Sequence, residues 1–203
     1  MKKLFITALF AVGFSALSFS QDKGKVEFGV QVGYNSSNVS DSEDSADNLS
    51  GVNFGVSGDY YFSDRWSLKV RALYDQKGWE ELIATETGVM DGKFRMTYLT
   101  VPVMANWHFG SKRNWYLNFG PYVGFLLKAE ETETGFDFKE GINSTDFGLA
   151  LGIGVKIPVS DKLKIFLEFD GQGGLSDAFK SSEIGTVQNS RSSFNAGLNF
   201  LLQ

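Results

Sequence analysis

The chain has 203 residues, with 19 Lys and Arg against 24 Asp and Glu, one His and no Cys. That length bounds it to one domain, and the lack of Cys excludes a disulfide framework, thiolate metal centres and lipid attachment to a cysteine. A net charge of -5 argues against nucleic acid as a partner.

A helix-length apolar run stands at the start: Met1-Lys2-Lys3 precedes LFITALFAVGFSALSF, with Ser18 and Ser20 at the minus-three and minus-one positions before Gln21. A basic n-region, an apolar run and small residues at that spacing predict a cleaved secretory signal, residues 1–20, with a retained anchor as the alternative. Its loss removes Lys2 and Lys3 and no acid, which takes the net charge from -5 to -7.

From residue 21 the pattern has period two. Strand one alternates Val26, Phe28, Val30, Val32 and Tyr34 with Glu27, Gly29, Gln31 and Gly33. Residues 35–50 carry Asp41, Glu43, Asp44 and Asp47 without periodicity and read as a long loop. Strand two presents Val52, Phe54, Val56, Tyr60 and Phe62 on one face, and a short turn at 63–65 follows. Strand three, 66–79, sets Trp66, Leu68, Val70, Ala72 and Tyr74 against Lys69, Arg71, Asp75 and Lys77. A second acidic loop covers 80–92, with Glu80, Glu81, Glu86 and Asp91.

The clearest hairpin comes next. YLTVPVMANWHF (98–109) and WYLNFGPYVGFLL (115–127) are joined by GSKRN, and each arm alternates apolar and polar or small residues. Arms of about a dozen residues exceed the ~5–6 of an ordinary strand and match the ~9–11 that a tilted strand needs to cross a bilayer. A third loop, 128–143, is again acidic, with Glu130, Glu131, Glu133, Asp137 and Glu140. Strand six sets Phe147, Leu149, Leu151, Ile153, Val155 and Ile157 against Asp146, Gly148, Ala150, Gly152, Gly154 and Lys156. A turn at 158–162 leads to strand seven, Leu163, Ile165, Leu167 and Phe169 against Lys164, Phe166, Glu168 and Asp170. A last loop, 176–189, precedes strand eight, where Phe194, Ala196, Leu198, Phe200 and Leu202 alternate with Asn195, Gly197 and Asn199.

Connections thus alternate long and short, as in an eight-stranded antiparallel up-and-down transmembrane β-barrel with short periplasmic turns and long extracellular loops. No second domain is expected after strand eight. A soluble lipocalin-like carrier is also all-β and eight-stranded, but turns its apolar face inward around a ligand. Three features favour the membrane: strand length, a non-apolar face rich in Gly and Ala rather than Lys and Glu, and the placement of aromatics. Trp66, Trp107, Phe109 and Trp115 fall beside short turns, and Trp79, Phe94 and Phe125 near long loops, as two interfacial girdles would require.

Eight strands enclose a lumen that side chains can fill. Arg71, Tyr61, Tyr116 and Tyr122 are the expected filling, and Lys69 and Arg71 on strand three face Glu168 and Asp170 on strand seven, opposite in an eight-membered ring. Asp59, Asp75, Lys77, Asp146 and Lys156 extend this charge network. Packing favours a structural plug over a gate that opens when the pairs exchange. His108, the sole histidine, has no neighbouring acid or serine in sequence and reads as a structural polar group, so no catalytic residue and no cofactor are expected. Asp41, Glu43, Asp44 and Asp47 are candidate Ca²⁺ or Mg²⁺ ligands at the rim, although no EF-hand spacing is present; a solvated acidic rim is the favoured reading.

The runs YLTVPVMANWHF, WYLNFGPYVGFLL and DFGLALGIGVKI together resemble the PorT-like family of outer-membrane barrels over about residues 26–202. That resemblance implies an integral outer-membrane protein of a diderm bacterium, some relatives of which serve protein secretion. The ending departs from the usual terminal aromatic signal, since Phe200 is followed by Leu201, Leu202 and Gln203. Expected partners are outer-membrane lipids, the barrel assembly machinery and a surface or secretion protein. The expected function is non-enzymatic, supporting envelope integrity or surface interaction through the loops; the alternatives are an accessory secretion or transport component and the soluble carrier.

Overall fold

The computed structural model describes residues 23–40, 46–85, 88–181 and 185–202. The predicted signal at 1–20, and Asp41, Glu43, Asp44 and Glu86, lie outside the described residues. These residues form eight antiparallel strands: β1 (Val26–Ser40), β2 (Asp47–Tyr61), β3 (Trp66–Thr85), β4 (Gly88–Phe109), β5 (Trp115–Glu131), β6 (Thr145–Pro158), β7 (Leu163–Gly174) and β8 (Gln188–Leu201). Each pairs with the next in chain order, and β8 returns to β1 with unbroken register from Glu27↔Leu201 to Ser40↔Gln188. The ring is closed, so no strand presents an unpaired edge to hydrocarbon.

Alternation puts apolar side chains outside. Val32 and Leu151 are each 60% exposed, whereas Lys69 is 0% and Glu168 1% exposed. A soluble carrier would show the reverse, and that alternative is excluded. Near the short turns Trp66, Trp107 and Phe109 associate on the outer face, with ring centroids 6.3 Å apart for Trp66–Trp107 and 5.2 Å for Trp107–Phe109. The inward glycines make room for lumen aromatics: a Cβ at Gly154 would strike the Tyr116 ring, and one at Gly197 would meet the Phe166 ring.

Three sequence expectations need correction. The segments 35–50 and 80–92 are mostly strand rather than loop: β1 runs on to Ser40, β2 starts at Asp47, and β3 and β4 reach Thr85 and Gly88. Runs of polar residues in 35–50, and adjacent apolar pairs such as Leu82-Ile83 and Val89-Met90 in 80–92, erase the alternation while the backbone goes on pairing, as in Ser36↔Ser50 and Glu81↔Gly92. Likewise β5 runs on to Glu131 and strand eight begins at Gln188, so residues 128–131 of the expected third loop and 188–189 of the last belong to the wall. Finally, Trp79 and Phe94 are not girdle residues. Trp79 shares the odd parity of Lys69 and Arg71, points inward and is 7% exposed; Phe94 is half-buried and stacks on it at 4.9 Å.

The candidate functional site: an ion-paired lumen under an aromatic cap

The lumen charges form three levels. At the short-turn end Lys156 Nζ donates to Glu27 Oε2 (2.6 Å), Asp59 Oδ2 (2.9 Å) and the Tyr61 hydroxyl (2.8 Å). Lys164 Nζ reaches Glu27 Oε1 at 2.5 Å, and Asn106 Nδ2 donates to Asp59 Oδ2 at 3.0 Å. His108 lies beside this level, buried, with Nε2 3.1 Å from Ser67 Oγ and its ring 5.0 Å from Tyr61. It has no carboxylate hydrogen-bond partner among the described residues, so a Ser-His-Asp relay is not assembled there.

In the middle, β3 meets β7 across the barrel. Arg71 Nη2 lies 2.5 Å from Glu168 Oε1, and Nη1 lies 3.1 Å from Asp170 Oδ2. Lys69 Nζ is 3.6 Å from Glu168 Oε2 and stands over the Tyr116 ring at 4.8 Å. Asp75 is held by Arg191, whose Nη1 lies 3.4 Å from Asp75 Oδ1 while Nη2 holds Asp170 Oδ1 at 2.5 Å. Asn35, Asn118 and Asn195 supply amide donors to Asp75, Glu168 and Asp170. Each of these three carboxylates therefore has both a cation and an amide donor, the condition under which desolvated charges persist. Nearer the loops, Lys77 Nζ pairs with Asp146 Oδ2 at 2.7 Å, the Tyr122 hydroxyl donates to the same oxygen at 3.1 Å, and the ammonium sits over the Tyr122 ring at 4.4 Å.

Above the charges lies an apolar cap. Trp79, Met96, Tyr98, Leu126, Ile142 and Val187 cluster together, with Phe138 and Phe179 packed on them from the β5–β6 and β7–β8 loops. Trp79 meets Phe138 at 6.0 Å and Phe179 at 5.7 Å, both edge-on. An isolated bridge, Ile142↔Phe179, ties the two loops together. Arg191, Glu27 and Lys164 complete the network beyond the residues singled out from sequence, and the cap completes the closure. Parity places Arg191 on the inward face with Ser193 and Asn195, although the serines beside it leave that register without contrast in the sequence.

The acidic rim has a different character. Asp47 is exposed and pairs in register with Glu80, and among the described residues no three metal-ligating side chains converge. Glu131, beyond the apolar band, is the organised acid: it accepts from Thr134 Oγ1 (2.5 Å), Thr134 N (2.7 Å), Glu133 N (3.0 Å) and Lys93 N (3.3 Å). The Thr134 hydroxyl, with these backbone N–H groups, pulls its carboxyl down to about 2.

An apolar outer wall, a closed ring and a buried, ion-paired interior define an integral outer-membrane β-barrel. Residues 19–180 match the outer membrane protein beta-barrel domain, and the chain belongs to that family. Its barrel is similar to the crystal structure of the outer membrane protein OprG from Pseudomonas aeruginosa, at 12% identity over 91% of this chain and 98% of that one, with a TM-score of 0.57. It is also similar to Neisserial surface protein A, at 17% identity over 85% of this chain and 96% of that one, with a TM-score of 0.51. At these identities the likeness carries the fold alone. No curated protein matches the chain.

Proposed function

We propose that the protein is a non-enzymatic, non-conducting barrel that supports envelope integrity or surface interaction through its acidic extracellular rim, after export by a signal cleaved before Gln21. The observation that carries this reading is the lumen itself: the Arg71–Glu168–Asp170–Arg191 cluster spans it, and the Trp79 cap covers its loop end. Both barriers would have to move before an ion could pass. Planar-bilayer recording of the refolded protein tests it, with no stable conductance expected; a persistent open channel would refute the plug. N-terminal sequencing of protein taken from membranes should begin at Gln21. The PorT-like resemblance of the 98–127 hairpin supports a narrower role as an accessory to secretion. For that role, crosslinkers placed in the β5–β6 and β7–β8 loops should trap one defined envelope protein, and a diffuse pattern counts against it.

A further inference from the structure

At its short-turn end the lumen opens into a polar recess of about 380 Å³. Five cations line it, Lys25, Lys112, Arg113, Lys156 and Lys164, with the carboxylates Glu27 and Asp161, while Asp59 holds Lys156 and Asp64 holds Arg113. The lining is richer in cations than the chain as a whole, which is acidic. Charges of one sign in a walled cleft focus their field outward along its axis and concentrate ions of the other sign.

The cations differ in availability. Lys156 is saturated by Glu27, Asp59 and Tyr61. Lys164, whose side chain is 32% exposed, holds Glu27 Oε1 and stands over the Tyr61 ring at 6.0 Å. Lys112 is exposed in the turn after β4 and makes no ion pair among the described residues. Glu27 displays the chemistry that fits: a carboxylate seated between two ammonium groups, at 2.6 Å from Lys156 and 2.5 Å from Lys164.

We propose that this periplasmic mouth is a binding site for a ligand carrying several carboxylates. One ligand carboxylate takes Lys164 in exchange with Glu27 Oε1, which keeps its other oxygen on Lys156, and a second lies on Lys112. No bond is made or broken; the exchange replaces one ion pair by another and adds one. A lipid headgroup is a poorer occupant. The recess faces along the barrel axis, while Trp115 and Ile157, 49% and 46% exposed, mark the lipid side of the same wall. A headgroup would have to draw its acyl chains around the turns into water.

The test is calorimetry on the full barrel in nanodiscs of uncharged lipid at low salt, with tetraglutamate, citrate and tripolyphosphate as separate titrants. Tetraglutamate should bind, and both K112Q/K164Q and added salt should weaken it about tenfold or more. Citrate binding with the same dependence would assign a small polycarboxylate; its failure beside a binding peptide would assign an acidic polypeptide segment. Absence of binding by both carboxylates, binding indifferent to K112Q/K164Q, binding by tripolyphosphate alone, or a response that needs anionic lipid would each overturn the proposal. Heat-modifiable gel migration reports whether K112Q/K164Q folds. If it does not, K112Q alone, at an exposed turn position, must still weaken tetraglutamate binding several-fold.

Discussion

Arg71 holds two carboxylates that belong to one strand. Glu168 and Asp170 project into the lumen two residues apart on β7, and without the guanidinium between them they repel each other in a site stripped of bulk water. Arg71→Met should therefore cost about 3–5 kcal/mol, and the double variant Arg71→Met with Glu168→Gln should recover part of that loss. Urea unfolding in lipid vesicles, followed by Trp fluorescence, reads both; a single variant as stable as the parent would contradict the network. Glu131 behaves differently because its partners are neutral. The Thr134 hydroxyl and the backbone N–H groups favour its ionised form, so its folded pKa of about 2 lies below the ordinary 4.5. Its contribution to the order of the β5–β6 loop is complete above about 4.5 and is lost as pH falls through about 2. A carboxyl NMR titration should show that low midpoint, and Glu131→Gln should remove the acid dependence of amide protection at 131–136. A midpoint near 4.5 would mean that the hydrogen-bonded cup does not form in solution.

At the scale of the element, alternation reveals which face of a strand is wet but not where the strand stops. Within the bilayer the two faces meet opposite environments, and Leu149, Leu151 and Ile153 separate cleanly from Gly148, Ala150 and Gly152. Beyond it both faces are polar over runs such as Asn35 to Asn38, and the sequence loses its period although the hydrogen bonds continue. Arg191 is obscured in this way, since Ser190, Ser192 and Ser193 around it give no contrast. The cap is obscured for another reason: Phe138, Ile142 and Phe179 come from two loops, and nothing local to either shows that they fold over Trp79. The energetic counterpart is testable. Trp79→Ala deletes the ring against which Phe94, Phe138 and Phe179 pack and should cost about 3–5 kcal/mol. It should also quicken proteolysis within 132–144 and 175–187. Unchanged cleavage would show that the loops close without the indole.

For the whole molecule the ordering of polarity is inverted relative to a protein in water: charge at the centre, hydrocarbon at the surface. Leu151, 60% exposed midway along β6, is where this inversion can be probed most directly. Leu151→Arg should destabilise the lipid-embedded barrel by about 2–4 kcal/mol, whereas Ser192→Arg, nearer the loop end of β8, should cost less. Equal costs for the two would argue that the wall does not meet hydrocarbon at Leu151. Parity supplies the sense of this inversion from sequence, through the contrast of outward Val and Phe with inward Gly and Lys. The partners that meet across the lumen depend on ring closure, which couples β3 to β7 about a hundred residues apart.

The seam between β1 and β8 carries a temporal consequence. The first and last strands of the ring are each other's neighbours, so β1 waits for a partner made after all seven strands before it. Until they zip together, both flanks bear bare amide and carbonyl rows and the interior salt bridges lack their full complement. Closing that seam pairs the strands farthest apart in the ring's sequence, a contact that slows folding, and the unclosed ring, rather than the finished barrel, is the aggregation-prone species.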